Sequence, residues 1–285
     1  MDPILVALAL GAAFCFAMGL VLTRIGLDSA DPVGGGAVSV PTTALIFLAA
    51  SPLTVNWDAW QTDSALMFAG AGLIFPVAVT LLTFQSTQRI GPNLTGALGN
   101  LTPLFAVALA VLWLGEVPRT GQLIGTAVIS AGVVLIFVGR GRGAAFPAWA
   151  LALPLAAACV RGLAQPMVKA GLGGWPNPFA AVTIGYAISA TVILIVAASR
   201  KRGLSYTRRG IRRFVPVGFA NGSAVFLMYA ALARGPVSIV APLIACYPLF
   251  TLALDRLLIG RGNLTRFTLA GILVSVGGVV VLLMS

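Results

Sequence analysis

The chain of 285 residues is 59% hydrophobic, has a mean hydropathy of +1.02, and carries charged side chains at only 9% of its positions. Because a soluble domain carries about 25% charged residues, this composition excludes an ordinary soluble protein. The formal net charge is +11, yet the basic residues lie mainly between apolar runs, as in the loops of membrane proteins. We therefore expect a lipid bilayer around the chain and no nucleic-acid partner.

Apolar runs long enough to cross a hydrocarbon core of about 30 Å recur along the whole chain. They predict an all-α polytopic membrane protein with ten transmembrane helices. In chain order, we place these helices at residues 4–24, 33–53, 65–89, 94–114, 121–139, 147–169, 179–199, 214–234, 237–259 and 264–284. Two connections are long, at 53–64 and 200–213, and most of the others are short turns.

Short motifs recur in the same order at a nearly constant offset of 144 to 146 residues. The matching pairs include GP at 91–92 with GP at 235–236, and TPLF at 102–105 with YPLF at 247–250. Their order predicts two repeats of five helices, over residues 1–143 and 144–285. Because five is odd, the second repeat enters the membrane from the opposite side. Such inverted repeats are typical of transporters that alternate access around a central site.

Basic residues are divided unequally between the two faces of the predicted bundle. The face with the odd-numbered connections, from loop 1–2 to loop 9–10, carries fourteen lysines and arginines, and the face with both termini carries three. Seven of the fourteen lie in the loop 200–213, whereas its counterpart 53–64 has none. Since positively charged loops stay in the cytoplasm, we predict both termini on the outer face.

The segment LTPLFAVALAVLWLGEVPRTGQLIGTAVISAGVVLIF at 101–137 looks like the signature of a known family across its fourth and fifth helices. A mid-helix proline is followed by GE, a turn and a glycine-spaced helix. The segment 247–283 keeps the proline and the glycines but has Arg261 where Glu116 stands. On these residues the chain resembles the ten-helix EamA-type exporters of the drug/metabolite transporter superfamily.

The resemblance implies a basket of ten helices as two inverted five-helix repeats around a central cavity. Helices 1, 3, 4, 6, 8 and 9 would line the cavity, with helices 5 and 10 outside. The glycine spacing of helices 5 and 10 agrees with this outer position, because glycines repeated along one face of a helix let helices approach closely. The glycines are Gly125, Gly132 and Gly139 on helix 5 and Gly271 and Gly278 on helix 10.

Arg161 lies within the long apolar run of the sixth predicted helix. At about 1.5 Å per residue it is roughly 21 Å from one end of the run and 12 Å from Lys169, near the other end. Gln165 follows four residues later on the same face. Two roles are open for Arg161. Its side chain either extends towards the membrane surface or bonds backbone carbonyls, or it faces the cavity. In the cavity, a substrate carboxylate or phosphate would form two parallel hydrogen bonds with its guanidinium.

Other polar side chains inside predicted helices are further candidates for the substrate site. They are Gln85, Asn100, Asn221, Tyr229 and Tyr247. Asp255 is the one acid clearly within a span, and we assign it as a candidate proton relay. Pro103 and Pro248 should bend helices 4 and 9 beside the cavity. Side chains of these types also bond neighbouring helices without touching a substrate, so both roles stay open for each.

The sequence has no histidine, and no carboxylate pair, metal-ligand cluster or phosphate-binding loop. We therefore expect no catalytic residue, metal or cofactor, and no enzyme activity. The sequence predicts a monomeric secondary transporter of the inner membrane. It would export small-molecule substrates, foremost amino acids or related carboxylates, by alternating access. Two alternatives stay open: multidrug efflux, and a flippase or membrane enzyme acting on a phosphorylated lipid carrier held by Arg161.

The charge asymmetry yields a test of orientation. A tag placed after Ser285 should be labelled by an impermeant reagent added outside the cell, because the termini lie on the face poor in basic residues. A tag in the loop 200–213 should be labelled only after the membrane is opened. The reverse pattern would overturn the predicted orientation and leave the arrangement of helices intact.

Overall fold

The computed structural model describes residues 2–27, 29–138, 147–200, 208–258 and 266–285. Within these residues the chain forms twelve α-helices and no strand. The helices are α1 (Pro3–Gly26), α2 (Pro32–Thr54), α3 (Thr62–Ile74), α4 (Val77–Gly99), α5 (Thr102–Leu114), α6 (Thr120–Val138), α7 (Ala152–Gly174), α8 (Pro178–Ala198), α9 (Arg208–Arg234), α10 (Val237–Ile244), α11 (Tyr247–Leu258) and α12 (Arg266–Met284). The 3₁₀ turns at Trp57–Ala59 and Ala148–Leu151 precede α3 and α7.

Ten apolar helical segments match the ten predicted spans. In the described part of the chain, eight are long and apolar enough to cross a membrane, and two are shorter, Thr102–Leu114 and Thr120–Leu135. Together with the absence of strands from these residues, they confirm the all-α, polytopic fold class. The boundary predicted between residues 143 and 144 lies outside the described residues.

The starts of the helices follow a local sequence rule that recurs in both halves. An aspartate or asparagine stands directly before a proline, and its side-chain oxygen accepts a hydrogen bond from a main-chain N–H of the first turn. Asp31 Oδ1 accepts from Gly34 N at 3.0 Å, and Asn177 Oδ1 accepts from Ala180 N at 3.0 Å. Proline lacks a main-chain N–H. This is tolerated in the first turn of a helix, because the N–H groups there have no helical partner.

Helix α4 reverses direction within its length. The hydroxyl oxygens of Ser86 and Thr95 lie 2.7 Å apart, whereas nine residues of straight helix would separate them by about 13.5 Å. The chain therefore doubles back between these two residues, where the sequence predicts the turn at 91–93. The third span is thus α3 with the first part of α4, and the fourth is the remainder of α4 with α5.

Three spans that the sequence predicts as continuous helices are interrupted. The breaks fall at Phe75–Pro76 in the third span, before Thr102 in the fourth, and before Tyr247 in the ninth. The last two lie directly ahead of Pro103 and Pro248, as the bends expected there require. A proline has no N–H and its ring collides with the carbonyl four residues earlier, so helices break on its N-terminal side.

The packing of the helices shows the pseudo-two-fold relation between the two repeats. Helix α1 packs against α9, and its counterpart α7 packs in the same way against α3 and α4. Helix α1 also packs against α10 and α11, as α7 packs against α5. Helix α2 packs with its counterpart α8, and α6 with its counterpart α12. Each interface is therefore repeated with the roles of the repeats exchanged, as inverted repeats require.

Contacts between loops sort the ends of the helices into two faces. On one face, Arg200 forms an ion pair with Asp31, and Arg213 Nη1 donates to the carbonyl of Ile25 at 3.0 Å. These contacts bring the connections 1–2 and 7–8 together on the basic face.

On the opposite face, connections that the sequence assigns to the outer side meet the two termini. Arg119 Nη1 donates to the carbonyl of Ser285 at 2.7 Å, and Arg234 lies 3.7 Å from Asp2. Connections 4–5 and 8–9 therefore lie on the face with the termini, as the sequence predicts. Which face lies in the cytoplasm stays a prediction.

Glycines bring α6 and α12 together away from the cavity. A Cβ atom added at Gly132 would lie 2.6 Å from Ser275 N and 2.8 Å from Gly271 O, and one at Gly278 would lie 2.7 Å from Ile129 N. These neighbours are mainly backbone, which cannot move aside. The packing role of the glycines is therefore confirmed, except for Gly139, which lies outside the described residues.

Two adjacent glycines of α12 provide a matched test of this packing. Gly278→Ala should destabilise the protein by about 1–3 kcal/mol, because the new methyl group overlaps the backbone of α6. Gly277→Ala meets open space and should leave stability unchanged or raise it slightly, since alanine favours a helix. Thermal unfolding of both variants in detergent would decide. Equal melting temperatures would contradict the close contact.

Candidate functional site

A cavity of about 140 Å³ lies among the spans at the level of the helix breaks. Its volume far exceeds the roughly 10–15 Å³ that a single water molecule needs, so it has room for a small solute. Residues from both repeats line it, on α1, α2, α4, α5 and α7 to α11. Among the described residues, α6 and α12 contribute none, as expected for helices 5 and 10.

All three helix breaks reach the cavity wall. Its lining includes Phe75 and Pro76 at the first break, Asn100 at the second and Ala245 at the third. Interrupted helices leave main-chain N–H and C=O groups without helical partners, and in a membrane this is tolerated only beside protein or an aqueous cavity. The breaks therefore lie where this is tolerated, and at each of them a main-chain N–H still donates within the chain: Phe75 N to Ala71 O, Leu101 N to Leu98 O and Ala245 N to Ala241 O.

Helices α5 and α7 approach closely beside the cavity. A Cβ atom added at Gly162 would lie 2.6 Å from Phe105 Cβ and 3.0 Å from Ala106 N. Arg161 and Gln165, on either side of this glycine, both line the cavity. The contact places their helix against the start of α5, next to Asn100.

Several buried polar atoms at this cavity have no hydrogen-bond partner in the described protein. They are Nδ2 and Oδ1 of Asn100, Nε of Arg161 and Oε1 of Gln165. The side chains of Asn100 and Gln165 belong to residues only 1% and 2% exposed. An unsatisfied buried polar atom costs about 1–3 kcal/mol, so these atoms need water or a ligand in the cavity. The set contains both donors and acceptors.

Arg161 is not paired with a carboxylate among the described side chains. Its guanidinium lies beside the hydroxyl of Tyr247, which also faces the cavity. The described lining contains no aspartate or glutamate. Among the described side chains the positive charge of Arg161 is therefore not compensated, which favours an anionic group in the cavity.

The structure brings together five of the predicted site residues and separates the others. Arg161, Gln165, Asn100, Asn221 and Tyr247 all line the cavity. The remaining three lie elsewhere or beyond the described side chains. Tyr229 is buried behind Tyr186, Gln85 is exposed in a surface pocket with Asp31, Arg89 and Arg200, and the side chain of Asp255 is outside what the structure describes.

Spans 2 and 7 also line the cavity, which the expected set of lining helices omits. Ser39 and Thr43 face it from α2, and Tyr186 faces it from α8. Thr43 Oγ1 lies 2.6 Å from the carbonyl of Gly218 and so joins α2 to α9. Tyr186, a tyrosine within a largely apolar helix, is a sequence feature that could have placed span 7 at the cavity. The small hydroxyl residues of α2 offered no comparable feature for span 2.

Towards the face with the termini, Glu116 closes the bundle beyond the cavity. Its carboxylate accepts hydrogen bonds from Val237 N at 2.8 Å and Ser238 N at 3.0 Å, the first residues of α10. A carboxylate at a helix N-terminus pairs main-chain donors that have no helical partner. Lys169 Nζ donates to the carbonyl of Leu232 at 2.8 Å close by. The contacts of Glu116 join the first repeat to the second.

Three comparisons place this geometry among known proteins. The family model described as the EamA-like transporter family matches residues 3–138 and again 148–284. One solved structure, described as "Crystal structure of protein", superposes with a TM-score of 0.79 at 17% identity, covering 97% of this chain and 95% of its own. At that identity the likeness concerns the fold alone. No curated protein matches the sequence at a significant level.

Two buried serines test whether the cavity holds water. Ser39 is 4% exposed and lines the cavity, whereas Ser275 is fully buried between α6 and α12. With Cys15, Cys159 and Cys246 replaced by serine, Ser39→Cys should react with a small anionic thiosulfonate, because its thiol can ionise in water. Ser275→Cys should not react. Equal protection of both thiols would mean that the cavity is dry.

Proposed function

Because the chain belongs to the EamA-like transporter family, it is a membrane transporter, and we propose that it exports small amino acids or related carboxylates. The observation that supports this proposal is the half-buried Arg161, which lines a cavity whose described wall has no acid. A carboxylate bound there would form charge-assisted hydrogen bonds to the guanidinium. The site also disfavours cationic drugs, since a second positive charge would be repelled at short range in a poorly hydrated space.

The helix breaks support an anionic substrate in a second way. Helices α5 and α11 both begin at the cavity, with Thr102 and Tyr247 in its lining. The N-terminal end of a helix carries partial positive charge. Half-helices that start near the middle of the membrane are used in this way by transporters with inverted repeats. Two such ends and Arg161 would act together on a carboxylate.

The proposal includes alternating access by one subunit. The cavity is lined from both repeats of a single chain, so no second copy is needed to complete it. We assign the inner membrane as the location and the basic face as the cytoplasmic one, on the charge asymmetry. On α1 and α2 the lining residues lie towards that face, from Phe16 to Thr23 and from Ser39 to Thr43. Substrate would then enter from the cytoplasm.

Substitution of Arg161 tests the proposed function. In proteoliposomes, Arg161→Ala should lower carboxylate or amino-acid flux at least about tenfold, since truncating one partner of a buried charge pair costs several kcal/mol. Arg161→Lys should restore only part of the flux, because lysine cannot bind a carboxylate as a fork. A panel of radiolabelled amino acids and simple carboxylates would supply the substrates.

Arg256 provides the matched control, since it is an arginine with an exposed side chain on α11. Arg256→Ala should leave flux unchanged. Normal flux through a folded Arg161→Ala protein would exclude Arg161 as the group that binds the substrate carboxylate. Failure of the wild-type protein to move any carboxylate or amino acid would count against the proposed substrate class.

A further inference from the structure

A second pocket lies at the basic face, where spans 2, 3 and 7 end. Its volume is about 360 Å³, which is large compared with the roughly 10–15 Å³ that one water molecule needs. Asp31 at the start of α2, Arg89 on α4 and Arg200 after α8 contribute to its wall. None of its described lining residues lines the central cavity. The pocket is therefore a separate site.

The pocket uses the face of α4 that is turned away from the central cavity. Leu81, Gln85 and Arg89 line the pocket and follow one another at four-residue intervals, so they share one face of the helix. The residues of this part of α4 that line the cavity share the opposite face, and they are Val79, Thr80, Thr83 and Phe84. Gln85, which the sequence offers as a substrate-site candidate, therefore belongs to the second pocket.

The charges of the pocket leave one guanidinium without an anionic partner. Arg200 pairs with Asp31, whose Oδ1 atom accepts from Gly34 N. Arg89 forms no ion pair with a described carboxylate, and its guanidinium carbon lies 4.6 Å from the centre of the Trp149 ring. The ring orients the guanidinium from one face and leaves its N–H groups free to donate. The described lining thus carries two positive charges and one negative charge.

The lining of the pocket changes from charged to apolar towards the centre of the membrane. Arg89 lies near the end of the third span, and Leu81 lies eight residues deeper, or about 12 Å. Gln85 lies between them. Trp149, which is 54% exposed beside Arg89, is a residue typical of the level of the lipid headgroups. A phospholipid presents its phosphate, its glycerol esters and its acyl chains in the same order.

We propose that this pocket binds the headgroup of an anionic phospholipid. The phosphate accepts charge-assisted hydrogen bonds from Arg89 and from the N–H groups of Arg200 that Asp31 does not use. The amide of Gln85 donates to a glycerol ester, and the first part of an acyl chain lies along Leu81. Basic pockets between transmembrane helices are general sites for anionic headgroups. A soluble phosphate would make no use of the apolar end.

A lipid bound in this way connects the two repeats. Arg89 belongs to the first repeat and Arg200 to the second, so one phosphate that binds both joins the repeats at the basic face. On the opposite face Glu116 joins the repeats from within the chain. Because it binds the folded protein, the anionic lipid should also raise the melting temperature.

Native mass spectrometry of the purified protein tests the site with phosphatidylglycerol and phosphatidylcholine that have identical acyl chains. The wild-type protein should bind one phosphatidylglycerol at least about fivefold more tightly than one phosphatidylcholine, because each arginine near the surface attracts the net negative charge. Arg89→Gln should lose most of this preference, and Arg89→Lys should keep part of it. Gln85→Glu should also lose it, since a carboxylate then lies beside the phosphate.

Both kinds of variant have matched controls. Arg256→Gln removes an exposed arginine of α11, and Gln61→Glu adds a carboxylate at an exposed position before α3. Neither should change the preference for phosphatidylglycerol. Should Arg89→Gln fail to fold, Gln85→Glu still decides, because glutamate has nearly the shape of glutamine and position 85 is exposed.

Two results would overturn the lipid site. The first is equal affinity of the wild-type protein for both lipids. The second is an unchanged preference in Arg89→Gln or, where that variant does not fold, in Gln85→Glu. Glycerol 3-phosphate, which has the phosphate without acyl chains, serves as a competitor. It should not displace phosphatidylglycerol at equal concentration, and displacement would identify a site for a soluble phosphate instead of a lipid. The proposed role of Arg161 is independent of each result.

Discussion

Within a bilayer, each main-chain N–H and C=O group must find its partner inside the protein, since the lipid tails offer none. Most spans of this chain meet the requirement as continuous helices. The third, fourth and ninth spans are broken, and their breaks lie where they face a cavity rather than lipid. The start of the ninth span meets the same requirement through Glu116, which accepts from the first N–H groups of α10. The position of the cavity beside the three breaks follows from this constraint.

Repetition accounts for the shape of the cavity, and divergence between the repeats accounts for its chemistry. Residues of both repeats line the cavity, but the positions equivalent to Arg161 and Gln165 hold the apolar Phe16 and Leu20 in the first repeat. The ends of the bundle have diverged as well. The residue equivalent to Glu116 is Arg261, which lies outside the described residues and has no acceptor atom with which to cap a helix N-terminus. The two faces therefore cannot close with the same contact.

The sequence was sufficient for the spans, the repeat and the position of α6 and α12 outside the cavity, because these depend on hydrophobic length and glycine spacing. Arg161, Gln165, Asn100, Asn221 and Tyr247 could be proposed for one site because polar residues in apolar runs are rare. Their convergence could not be read from helical periodicity, since it depends on breaks near residues 75, 100 and 245. Gln85 illustrates the limit: it lies in an apolar segment, yet the turn of α4 leaves it in a separate surface pocket with Arg89. Span 2 was missed because Ser39 and Thr43 are small and common in membrane helices, whereas span 7 carried a signal in Tyr186.

The central claim is that a carboxylate occupies the cavity at Arg161. An experimental structure of the protein in lipid nanodiscs, determined with a saturating amino acid from the flux panel, tests it most directly. The account predicts a ligand carboxylate with an oxygen about 2.7–2.9 Å from the Arg161 guanidinium. A cavity filled by a lipid acyl chain, or an Arg161 bonded only to main-chain carbonyls with the amino acid bound elsewhere, would contradict it.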